Sequence, residues 1–93
     1  MLKVAHHGSR GSSTPEFLRA VAPLVAVISV GARNPYGHPS PDTLARLAAA
    51  SAAIYRTDHD GAVILESDGR TLTVTAWATN HTTRYCLDRE AVC

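Results

Sequence analysis

The apolar positions of this chain change period along its length. Leu2 to Ala5 is a short apolar stretch read as a strand, and it ends at His6-His7-Gly8 and a Gly/Ser loop over 6–13. Ser13 followed three residues later by Glu16, with Pro15 between, has the form of a capping box. A helix is expected from there to about Ala22, ending before Pro23. Val25-Ala26-Val27-Ile28-Ser29-Val30 is a β-branched apolar run between Pro23 and Gly31, the pattern of a strand buried on both faces. Residues 31–40 hold two prolines and two glycines in a polar setting and read as loop. Ser40-Pro41-Asp42 then opens a second helix, with Leu44, Leu47 and Ala48 on one face and an end near Ala50. Residues 53–57 read as a third strand and Asp58-His59-Asp60-Gly61 as a turn. Ala62 to Ser67 and Arg70 to Trp77 read as two strands joined by the Asp68-Gly69 hairpin. The second of these alternates with period two, so one face is wet. From about residue 79 the pattern fades into a weakly ordered tail, 79–93. The element order is β-α-β-α-β-β-β: two βα units forming a sheet with helices on it, and a closing meander at one edge.

Composition narrows the class without naming a function. Ninety-three residues at 45% hydrophobic and 18% charged make one soluble-type domain with a small aliphatic core. The formal charge of +1 announces no nucleic-acid partner, although Lys3, Arg10, Arg19 and Arg33 all fall in the first third. No stretch reaches the roughly 18–20 apolar residues of a membrane span, and there is no signal-peptide pattern. Cys86 and Cys93 are too few and too terminal for a disulfide framework and are expected as free thiols. A tail disulfide and a His81–Cys86–Cys93 metal site are the less favoured alternatives.

Three clusters carry chemistry. His6 and His7 end a strand, where imidazoles bind metal or move protons and Gly8 permits close backbone approach. Strand neighbours point to opposite faces, so one of the pair is expected as a ligand and the other as its support or a substrate contact. Asn34-Pro35-Tyr36-Gly37-His38-Pro39 displays Asn34, Tyr36 and His38 from a stiff loop after a buried strand, where α/β folds place reactive groups. Asp58-His59-Asp60 is metal-capable, but an Asp-rich turn ordinarily satisfies its own backbone. No serine-nucleophile elbow, phosphate-binding loop, dinucleotide fingerprint or H-E-x-x-H is present.

Taken in order, His6-His7-Gly8-Ser9-Arg10, Thr14-Pro15-Glu16-Phe17-Leu18, Val27-Ile28-Ser29-Val30-Gly31, Asn34-Pro35-Tyr36-Gly37-His38-Pro39 and Tyr55-Arg56-Thr57-Asp58 with Asp60-Gly61 form a specific pattern. It resembles the C-terminal half of a metallo-β-lactamase-fold domain, and more closely the hydrolase domain of the ComEC family of DNA-uptake proteins, from Leu2 to about Trp77. The resemblance implies an α/β fold that is half of an αββα sandwich, with residues 1–78 as the partial domain. It implies a dinuclear zinc or manganese centre acting on DNA phosphodiesters, with His6 or His7 as metal ligands. His38 would be catalytic or phosphate-binding, and Ser9, Asn34 and Tyr36 substrate-binding. In that family the domain lies on the extracytoplasmic face of a bacterial membrane protein. The family's main metal motif, His-x-(His/Asp)-x-Asp-His, is absent from these residues, as is its bridging aspartate. The expectation is therefore a partial domain, a fragment or one half of a split protein, inactive alone. The alternative is a non-enzymatic βα scaffold that binds a partner or associates with itself through its exposed sheet edge, the missing N-terminal half of the domain leaving an apolar face open.

Overall fold

The computed structural model describes residues 1–87. Among them are two three-stranded sheets and three helices. The first sheet is parallel, in the order β1 (Leu2–Lys3), β2 (Val25–Ile28), β3 (Ala53–Arg56). Its two crossovers run through α1 (Pro15–Val21) and α2 (Pro41–Ala49). Helix α2 starts as its sequence requires: Ser40 caps it, with its hydroxyl accepting from the Thr43 N–H at 3.1 Å, and Pro41 takes the first helical position. Helix α1 starts one residue later than the capping box predicts. Thr14 is the cap, accepting from Phe17 N–H at 3.3 Å, while Ser13 sits at φ +55°. The residue before a proline is held extended, which is what a cap needs, and Thr14 rather than Ser13 precedes Pro15.

Strand β2 is buried on both faces, as its β-branched run predicts. Ala26 and Ile28 pack with Val4, Leu18 and Leu47, so both helices cover one face of the parallel sheet. Val25 and Val27 point the other way and pack with Leu72, Val74, Val63, Leu65 and Tyr85. These last residues belong to the second sheet, an antiparallel meander of β4 (Val63–Ser67), β5 (Thr71–Ala76) and β6 (His81–Cys86). The layers are therefore helices, parallel sheet, antiparallel sheet.

The meander was expected along an edge of the first sheet; it lies against its face instead. Both sheets carry an apolar row that needs covering, and stacking covers both rows at once. A single helical turn, α3 (Thr57–Asp60), redirects the chain from one sheet to the other. The tail expectation is corrected for His81–Cys86, which form β6 and pair along the whole of β5. The expectation for 88–93 lies outside the described residues. Cys86 is disulfide-bonded rather than a free thiol, and Cys93 lies outside the described residues. The outward face of the antiparallel sheet is mostly polar: beside Ile64 it carries Thr73, Thr75, Thr82 and Arg84, with the Thr75 and Thr82 hydroxyls 3.0 Å apart. Among the described residues no helix is long and apolar enough to cross a membrane.

Candidate functional site

The carboxyl ends of the three parallel strands converge on one rim, where open α/β sheets bind ligands. After Val4, whose N–H extends the ladder to the Val27 carbonyl at 2.9 Å, the chain enters a left-handed turn. His6, His7 and Gly8 have φ of +50°, +55° and +79°. The left-handed region costs about 1–2 kcal/mol for each non-glycine residue, so two histidines there must be held by their surroundings. They are. Ser9 N–H closes on the His6 carbonyl at 3.0 Å, and the Ser12 hydroxyl donates to the carbonyls of Ala5 and Ser9. From α2, Thr43 donates to the Ser9 carbonyl at 2.7 Å, and the Arg46 guanidinium reaches the carbonyls of Arg10 and Ser12.

The two histidines are not equivalent. His7 Nδ1 lies 2.6 Å from the Ser29 carbonyl at the end of β2. A carbonyl only accepts, so Nδ1 carries a proton, and in the neutral form of the ring the lone pair is on Nε2. This is the arrangement that orients an imidazole for metal or proton chemistry. His6 is exposed, and its ring makes no hydrogen bond among the described residues.

Opposite His7, the loop after β2 is braced by Asn34. Its amide nitrogen donates to the carbonyls of Gly31 (3.0 Å) and His38 (2.7 Å), and its oxygen accepts from His38 N–H at 2.9 Å. The His38–Pro39 peptide is cis. The loop is tied to the histidine turn by the Ser40 N–H bond to the Gly8 carbonyl, 2.8 Å. His7, Val30, Gly31, Asn34, Tyr36 and His38 line one cavity of about 190 Å³. Drug-sized ligands occupy roughly 300–1,000 Å³, so this cavity admits a single chemical group. Of the sequence-derived candidates, His7, Asn34, Tyr36 and His38 come together here. His6 and Ser9 do not line it; Ser9 contributes its backbone carbonyl to the turn. Asn34 reaches the cavity, but both of its donors are engaged within its own loop.

The Asp-rich turn is structural. The Arg56 guanidinium grips the Asp58 carboxylate with two bonds of 3.0 and 2.7 Å, which lowers the Asp58 pKa. Asp60 accepts from Arg56 N–H at 2.7 Å. His59 Nε2 stands 3.8 Å from Asp58. Two contributors to the rim have no signal in the sequence. One is the Ser29 carbonyl. The other is Thr57, whose hydroxyl donates to the Val30 carbonyl at 2.9 Å and accepts from Val30 N–H at 2.8 Å, joining the ends of β2 and β3.

Whether these residues fit a dinuclear metal centre has a direct answer. Two-metal sites need several protein ligands around a pair of ions roughly 3.5–4 Å apart. No three His, Cys, Asp or Glu side chains gather in that way among the described residues. The described residues by themselves do not fit the group.

Three curated relatives share a 63-residue region with this chain, 68% of its length. ComE operon protein 3 of Bacillus subtilis is 43% identical there. Competence protein ComA of Neisseria gonorrhoeae is 43% identical and Recombination protein 2 of Haemophilus influenzae 38%. The chain spans only 8–9% of the length of these relatives. No family model and no solved structure matches the chain. The relatives support a competence family for it.

Proposed function

We propose that this chain forms the C-terminal part of a metallo-β-lactamase-like hydrolase domain in a longer DNA-uptake protein, and supplies one wall of its phosphodiester site. The observation that carries this reading is the His7 ring, oriented by the Ser29 carbonyl on a cavity shared with Tyr36 and His38. The helix–sheet–sheet layering supports it, being three of the four layers of an αββα sandwich. With Nδ1 donating to the Ser29 carbonyl, His7 Nε2 is the nitrogen left to ligate zinc or manganese. The remaining ligands would have to come from outside the described residues, and the chain alone is expected to be inactive. His38 lines the same cavity, where an imidazole can bind a phosphate oxygen or hand a proton to a leaving alkoxide.

Calorimetric titration with Zn²⁺ and Mn²⁺ tests the reading. The chain should bind weakly, more weakly than micromolar, with no hydrolysis of a phosphodiester. His7→Ala should abolish the binding and His6→Ala should leave most of it. In the longer protein that contains this segment, His7→Ala should lower phosphodiester hydrolysis at least ~100-fold. Micromolar binding of two ions with turnover by this chain would refute the incomplete-site reading, and undiminished hydrolysis by the His7→Ala protein would refute the role of His7.

A further inference from the structure

Tyr36 is 77% exposed, more than any other large hydrophobic side chain described in the molecule. It is not a stray surface ring. The loop that carries it is pinned by the three Asn34 bonds and bounded by Pro35 and Pro39. His38 supports one side, with ring centroids 5.8 Å apart and planes tilted by 31°. Most of the ring is open to solvent, and it lines the cavity that holds His7. A stiff, half-supported ring loses little conformational freedom when something stacks on it. Arg33, three residues earlier, is exposed and makes no ion pair among the described residues. Exposed aromatic rings together with cationic side chains are what bind single-stranded nucleic acid, and one loop carries both Tyr36 and Arg33.

We infer that Tyr36 stacks one unpaired base of a single-stranded nucleic acid, next to the phosphate held between His7 and His38. The inference rests on the DNA-substrate reading above and adds the form of the substrate. In a duplex both faces of each base are already stacked, so the platform discriminates for single strands or frayed ends. The ring acts through binding, not through the reacting atoms.

The test uses a short single-stranded oligodeoxynucleotide carrying one 2-aminopurine, the same sequence as a duplex, and an abasic strand of the same length. Anisotropy gives affinity, and quenching of 2-aminopurine reports stacking. The wild-type chain should bind the base-bearing strand best and quench it. Tyr36→Ala should lose about 5- to 150-fold in affinity for that strand and lose the quenching. Tyr36→Phe and Tyr36→Trp should keep both. The abasic strand should bind wild type and Tyr36→Ala alike. Equal binding of the base-bearing strand by wild type and Tyr36→Ala would overturn the stacking role while leaving the phosphodiester reading in place. A duplex bound as tightly as the single strand would also overturn it. Failure of the wild-type chain to bind any of the three would overturn the stacking role, while the phosphodiester reading is decided by the His7→Ala hydrolysis assay.

Discussion

Replacing Gly8 by alanine should destabilise the protein by ~2–5 kcal/mol, and the structure separates the two contributions. The first is backbone strain. Gly8 sits at φ +79°, where an alanine costs about 1–2 kcal/mol. The second is contact. A Cβ there would lie 2.6 Å from Pro39 Cβ and 3.0 Å from Pro39 Cα. Carbon atoms pack at roughly 3.5–4.0 Å, so Pro39 must retreat by about an ångström. It cannot do so freely: Pro39 is buried, and the next residue bonds the Gly8 carbonyl through Ser40 N–H at 2.8 Å. Overpacking of this kind costs about 1–3 kcal/mol, against a total stability of roughly 5–14 kcal/mol for a domain of this size. Two glycines serve as controls. Gly69 has φ +90° but nothing within 4 Å of an added Cβ, so Gly69→Ala should show the strain alone, ~1–2 kcal/mol. Gly31 has neither problem, and Gly31→Ala should be neutral or stabilising by up to ~1 kcal/mol. Urea unfolding followed by circular dichroism gives all three. A Gly8→Ala loss no larger than that of Gly69→Ala would refute the close seating of the histidine turn on Pro39, and with it the argument that the two loops form one site.

Other outcomes follow from the same bonds. Thr57→Val keeps the shape but strands both backbone groups of Val30, which is 7% exposed. It should cost about 1–3 kcal/mol, a fall of at least ~4 °C in Tm, and an unchanged Tm would show that the clamp contributes nothing. Asp58 titrates below its ordinary value because of Arg56, so this stabilisation is complete above the unfolded pKa of about 4 and disappears as pH falls through the lower folded value. Arg56→Met should flatten the acid side of the stability profile; an acid limb as steep as wild type speaks against the pair. The Tyr85 hydroxyl is pushed up to about 12, by burial first and then by the 2.6 Å bond to Tyr55. Its neutral form stabilises the fold up to the unfolded pKa of 10.0, and the stabilisation is lost as pH rises from there through about 12. In Tyr55→Phe, the absorbance titration of Tyr85 should move down toward 10; no movement would mean the hydroxyl pair is not formed.

Much of the fold is legible locally. The run Val25 to Ile28 can only be a strand with two buried faces, Ser40-Pro41 can only begin a helix, and Asp68-Gly69 turns a hairpin with Asp68 accepting from the N–H groups of Arg70 and Thr71. Strand β6 escaped because His81-Thr82-Thr83-Arg84 has little apolar signal; it is a strand because β5 offers it a ladder. In the site, the residue types at His7, Tyr36 and His38 pointed to chemistry. Their spacing could not separate His7 from His6, since that depends on which ring meets the Ser29 carbonyl, 22 residues away. Asn34 reads as a display residue in sequence and acts as a brace in space.

The sequence by itself determined the elements and the inventory of reactive groups, because capping, β-branching, turn chemistry and side-chain pKa are properties of neighbours along the chain. Only the tertiary structure decided that the closing meander stacks on the parallel sheet instead of extending it. It also decided that a strained turn is held by Ser12, Thr43 and Arg46, and that one histidine of two faces a shared cavity. Those outcomes depend on burying two apolar rows at once and on carbonyls brought within hydrogen-bond reach from distant strands, and such distances exist only once the chain has folded.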